Sequence, residues 1–167
     1  MKSVRFLLCL TVCLFMISAQ VWCENGGTGN ASFDWAGAYS LSPGDYVVSF
    51  RVSRGTRCPS SVKMVLMRTG LSGDVCIDES ESKAMEVFHS NPVTAPGGKG
   101  IIIVPGETLY GLPLEAERAR TEYRVRIGRD GVYLMFIETG GVRFMDDVGF
   151  VTDFNGHDVR PFREKRF

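Results

Sequence analysis

The residues best able to do chemistry crowd into one stretch of this chain, where Asp146, Asp147, Asp153, Asn155, His157 and Asp158 fall within thirteen positions. Hard cations bind clustered carboxylate and carbonyl oxygens, so Asp146, Asp147, Asp153 and Asp158 form a candidate calcium set. The spacing is not that of an EF-hand. With Gly156 at the sixth loop position, the first and twelfth ligands would be Val151 and Phe162, neither of which coordinates through its side chain. The competing reading is that Asp and Asn stand in turns because their side chains bond the local backbone.

Nucleophilic catalysis would need an imidazole beside the nucleophile, and His89 and His157 are the two histidines. Neither stands in a recognisable elbow. The Gly-x-Ser-x-Gly, Gly-x-x-x-x-Gly-Lys and His-Glu-x-x-His patterns are all missing, which leaves an enzyme without a positive signal. A hydrolase using His89 or His157 is the least favoured of three readings. Trp35, beside Asp34 and Gly37, reads as a core residue rather than a carbohydrate platform, because burying so large a ring stabilises strongly.

Lys2 and Arg5 precede a twelve-residue stretch at 6–17 that is apolar apart from Thr11, followed by small and polar residues, the pattern of a secretory signal peptide. As a helix the apolar run reaches about 18 Å, well short of a bilayer core of roughly 30 Å. Cleavage after Cys23 puts small Val21 and Cys23 at the inspected positions. It also removes Cys9, Cys13 and Cys23, leaving Cys58 and Cys76 as an expected disulfide. In an oxidising compartment, closing that loop stabilises a small domain by about 3 kcal/mol.

The mature chain of 144 residues fits one domain. It holds all 19 acidic residues and 17 of the 19 basic ones, a net charge of −2, which gives no reason to expect nucleic acid or an anionic membrane as partner. Residues 24–32 read as a flexible Gly-rich linker carrying the single glycosylation sequon at Asn30. Residues 33–160 read as the ordered domain, and 161–167, with Arg160, Arg163, Lys165 and Arg166, as a solvated basic tail. The run Arg163-Glu-Lys-Arg166 resembles a dibasic processing site, though a cut there would remove little.

The elements that must position these groups are mostly strands. Tyr46, Val48, Phe50 and Val52 alternate with polar positions, the pattern of a half-buried strand. The strands at 61–69 and 132–138 are apolar on both faces and belong inside a sheet. Ala84, Met85, Val87 and Phe88 make a helical stripe of about two turns. Residues 91–100, with two prolines and three glycines, read as loop, and 101–104 as a buried strand. Gly128-Arg-Asp-Gly131 predicts a hairpin joining 122–127 to 132–138, and Asn155-Gly156 predicts another. Seven to nine short strands with at most one short helix point to an all-β fold, an antiparallel β-sandwich or barrel.

Asp34-Trp-Ala-Gly-Ala-Tyr39 followed by Pro43-Gly-Asp-Tyr46 is similar to a group of secreted or periplasmic proteins of unknown function that open with an Asp-Trp-Gly and Pro-Gly-Tyr pattern. Gly131-Val-Tyr133 through Asp158-Val-Arg-Pro161 continues the similarity. The resemblance implies a shared β-fold. Members of that group tend to carry histidines after the late strand, where this chain has Glu138 and Thr139, so no metal role is carried over.

These features together point to a secreted structural or interaction protein without cofactor, for example an extracellular or biomineral matrix component whose partner is an extracellular macromolecule. A secreted calcium- or carbohydrate-binding module is the alternative.

Overall fold

The computed structural model describes residues 33–51, 60–70, 77–95, 102–115, 120–139 and 150–167. The expected signal peptide, linker, Asn30, Cys58, Cys76, Asp146 and Asp147 lie outside them.

Eleven strands and one helix are present among the described residues: β1 (Trp35–Leu41), β2 (Gly44–Arg51), β3 (Ser61–Thr69), α1 (Ile77–Phe88), β4 (Val93–Thr94), β5 (Ile102–Ile103), β6 (Leu109–Pro113), β7 (Arg120–Ile127), β8 (Gly131–Glu138), β9 (Phe150–Asp153), β10 (Asp158–Val159) and β11 (Arg163–Arg166). One sheet runs in the order β11-β1-β8-β3-β6-β4 and the other β10-β9-β2-β7-β5. The sheets do not close on each other, so the fold is a β-sandwich and not a barrel. The strand number exceeds the seven to nine expected because β4, β6 and β11 lack a long alternating pattern.

Hydrophobic pattern sorts the strands between sheets. β2 and β7 sit side by side in the second sheet; β7 alternates, burying Thr121, Tyr123, Val125 and Ile127 and exposing Glu122, Arg124 and Arg126, whereas β2 buries Val48 and Phe50 toward the core and Ser49 on its other face. β1, β3 and β8 are apolar on both faces, and they sit in the first sheet, which is covered twice. Its inner face contributes Trp35, Tyr39, Val62, Met64, Leu66, Tyr133, Met135 and Ile137 to the core between the sheets. Its outer face packs Ala36, Ala38, Val65, Met67, Leu134 and Phe136 with Ile77, Ala84, Val87 and Phe88 of α1.

The helix is 12 residues long, just over three turns rather than about two. Asp78 and Glu79 in its first turn complement the positive end of the helix dipole. At the other end the Ser90 hydroxyl donates to the Val87 carbonyl at 2.7 Å, and Pro92 prevents continuation.

Four expectations are corrected. The strands at 122–127 and 132–138 do not form a hairpin, for β7 pairs with β2 and β5, whereas β8 pairs with β1 and β3. Their short connection arches from one sheet to the other, held where the Tyr133 hydroxyl donates to the Arg129 carbonyl at 2.6 Å and Arg68 Nη2 to the Asp130 carbonyl at 2.7 Å. The Gly-rich turn was legible, but a turn serves an arch as well as a hairpin. The loop expected at 91–100 contains β4, an edge strand parallel to β6, since an edge tolerates flanking prolines. The buried strand expected at 101–104 is the short edge strand β5, in which Ile103 is buried while Ile102 and Val104 are exposed.

Residues 161–167 are not a solvated tail. β11 pairs antiparallel with β1, from Ala38↔Arg163 to Trp35↔Arg166. Lys165 Nζ ion-pairs with Asp78 and Glu81 of the helix, and the Phe167 ring stands edge-on to Phe33 with centroids 4.7 Å apart. The charges that suggested a tail are those that protect a sheet edge from pairing with another chain.

Candidate functional site

Among the described residues the outer face of the second sheet exposes Glu122, Arg124 and Arg126 of β7 while burying Ser49 of β2, and the β9–β10 hairpin lies at its margin. One carboxylate builds that hairpin. Asp153 Oδ1 accepts the backbone N–H groups of Asn155 at 2.9 Å and His157 at 2.8 Å, and Oδ2 lies 3.1 Å from His157 Nδ1. The Asp153 N–H donates to the His157 carbonyl at 3.0 Å, and Gly156 closes the turn at φ +83°, a left-handed conformation that suits glycine. The hairpin expected at Asn155-Gly156 is therefore present, and β9 pairs with β10 through Thr152↔Asp158 and Val151↔Val159.

This locked turn presents Phe154 with 82 % of its surface exposed. Below it lies an open cleft of about 480 Å³ lined by Val47 from β2, Arg120 and Glu122 from β7, Thr152 and Asp153 from β9, and Phe154, Gly156 and Asp158 from the hairpin. Cross-strand register explains the assembly. Val47 stands opposite Thr152 on one side, and Thr152 opposite Asp158 on the other, so their side chains share the outer face. Arg120 and Glu122, two positions apart on β7, also share that face, with Arg120 Nε 3.0 Å from Glu122 Oε1.

Two further charged pairs brace the sheets. Asp45 and Arg126 are cross-strand partners joined at 2.9 Å and 3.4 Å, and the guanidinium holds the Asp45 carboxyl below its usual range. Lys63 meets Glu138 at 2.9 Å, also across a strand pair. The Thr139 N–H and hydroxyl both donate to Asp34 Oδ2, so Glu138 and Thr139 are each engaged in holding strands together.

Of the candidate calcium ligands, Asp153 and Asp158 come together on the hairpin, and Asp146 and Asp147 lie outside the described residues. Among the described residues no group of three or more His, Cys, Asp or Glu side chains is arranged to hold a metal ion. Asp153 has the local backbone bonds of the turn reading. His89 follows the helix on the outer side of the first sheet, and His157 belongs to the hairpin of the second, so they are carried by different layers. Trp35 is buried, 5 % exposed, as expected of a core residue. Pattern reading passed over Phe154, Arg120, Glu122, Thr152 and Val47. The available signal was Phe154 itself, a large aromatic inside an otherwise polar turn sequence.

The hairpin carries a pH dependence of known sign. The backbone N–H of His157, then its ring, hold the Asp153 carboxyl below its ordinary value of 3.8. A depressed carboxyl contributes stability above the unfolded value and loses it as pH falls through the folded one. The titration of the Asp153 carboxyl, read from its own side-chain carboxyl carbon resonance, is therefore expected to have its midpoint below the ordinary 3.8. A midpoint at or above the ordinary value would show that the turn lacks these bonds.

Comparison of the chain with protein-family models, with curated proteins and with solved structures found no match.

Proposed function

We propose that this chain is a secreted β-sandwich interaction module that engages an extracellular macromolecule through the cleft beneath the β9–β10 hairpin. The observation that carries this reading is Phe154. A phenyl ring held 82 % in water by a turn closed around one carboxylate contributes little to folding, yet it stands beside a cleft with charged and apolar walls. Exposed aromatic anchors beside polar groups are typical of recognition surfaces.

Binding is supported over catalysis by the lining, in which a valine floor, an aromatic wall, an Arg–Glu pair and turn carboxylates suit contact and orientation. Secretion rests on the signal-like start of the sequence and is tested by the N-terminus of the exported protein, expected at Glu24. The contact is tested by retention on an insoluble extracellular matrix preparation. Wild type is expected in the pellet, and Phe154→Ala is expected to reduce retention at least tenfold with an unchanged melting temperature. Wild-type protein found wholly in the supernatant would end the reading.

A further inference from the structure

We infer that the group taken by the cleft is a neutral saccharide, an inference that rests on the binding role proposed above and names its ligand class. Arg120 carries a guanidinium into the lining against the carboxylates of Glu122, Asp153 and Asp158, so the lining is net acidic and disfavours an anionic ligand. With Glu122 set against Arg120, Asp153 bonded within its turn and Phe154 and Val47 among the lining residues, the cleft suits an uncharged ligand rich in groups that donate and accept hydrogen bonds.

The polar groups differ in how available they are. Asp153 is bonded within its turn, and Glu122 stands against Arg120. The Asp158 carboxylate is exposed at the rim and faces the same way as the Thr152 hydroxyl, its cross-strand partner. A carboxylate accepts, a guanidinium donates, and a threonine hydroxyl does both, which matches the hydroxyl rim of a sugar ring. The apolar surfaces supply the other half of the match. A pyranose ring presents a face of C–H groups, and Phe154 with Val47 offers the flat apolar wall and floor on which such a face rests. A volume of about 480 Å³ lies within the ordinary range for small-ligand sites, and an open cleft lets a chain of sugar units run past it.

The test uses the full exported chain and calorimetric titration with cellohexaose, laminarihexaose, chitohexaose and mannohexaose. A heparin-derived hexasaccharide and hexalysine serve as charged comparators. At least one neutral hexasaccharide is expected to bind, and Phe154→Ala and Asp158→Ala are each expected to weaken it at least tenfold without lowering the melting temperature. Binding of hexalysine or the heparin fragment in place of the neutral sugars would overturn the ligand class. So would no binding of any probe while Phe154→Ala still abolishes matrix retention, because the cleft would then serve another partner. No binding together with unchanged retention of Phe154→Ala would overturn both the ligand class and the proposed role of the cleft.

Discussion

Replacing Phe33 by alanine is expected to cost about 3–5 kcal/mol of stability, the range for removing a fully buried aromatic ring. Phe33 is 1 % exposed and precedes β1. Its ring meets Phe136 of β8 at 4.8 Å, Phe88 of the helix at 5.4 Å and Phe167 after β11 at 4.7 Å. One side chain therefore joins the central strand, the covering helix and the last edge strand. Truncation leaves a cavity bounded by three elements, of which β8 is fixed on both sides and cannot move in to fill it. A chain of this size should melt roughly 10 °C lower or more. Amide exchange adds a local reading, with β11 and the helix losing protection first. A fall of under 3 °C would show that the outer cluster does not unfold with the rest.

The second large effect lies on the other face of β1. An alanine at position 37 would place its Cβ 2.8 Å from Trp35 Cζ2, and closer still to Cη2, because the indole lies flat across Gly37. Such a contact forces the ring from its place in the core between the sheets, at about 1–3 kcal/mol for overpacking. Trp35→Ala alone should cost about 3–5 kcal/mol. The informative experiment is the double mutant. Once the indole is gone the three atoms nearest that Cβ go with it, and Gly37→Ala restricts the unfolded chain, so in that background it should be neutral or stabilising by about 0.4–1 kcal/mol. Equal costs in the two backgrounds would mean that Gly37 is required for some reason other than the indole.

Much of the architecture was readable because burial leaves different signatures on the two sheets. β3 and β8 are apolar on both faces, and each has a core on one side and the helix layer on the other. β7 alternates because its outer residues Glu122, Arg124 and Arg126 face water. The structure ties that contrast to the separation of 122–127 from 132–138, since a strand with water on one face lies in one sheet and a strand covered on both lies in the other. The local turn at Gly128–Gly131 is compatible with either connection, so it does not by itself select between a hairpin and an arch. β4, β6 and β11 were not legible, for a strand of two to five residues takes its conformation from its neighbour more than from its own sequence.

The candidate site was half legible. Asp153 and Asp158 were picked out for their carboxylates, and turn formation explains what Asp153 does. The cleft itself depends on register, because Val47, Thr152 and Asp158 become neighbours only when β2, β9 and β10 are laid side by side. No spacing along the chain announces that.

The alternation of the chain between sheets also has a consequence for how the molecule is made. β1 finds its long partner only in β8, through Trp35↔Ile137 to Leu41↔Gly131, and β3 needs the same strand. Contacts so distant in sequence make folding slow, on the scale of milliseconds to seconds. During synthesis β1 and β3 must leave the ribosome and wait, apolar on both faces, until residues 131–138 follow. The middle of the first sheet is thus among the last parts of the chain to be made, and the nascent protein is exposed to aggregation for most of its translation.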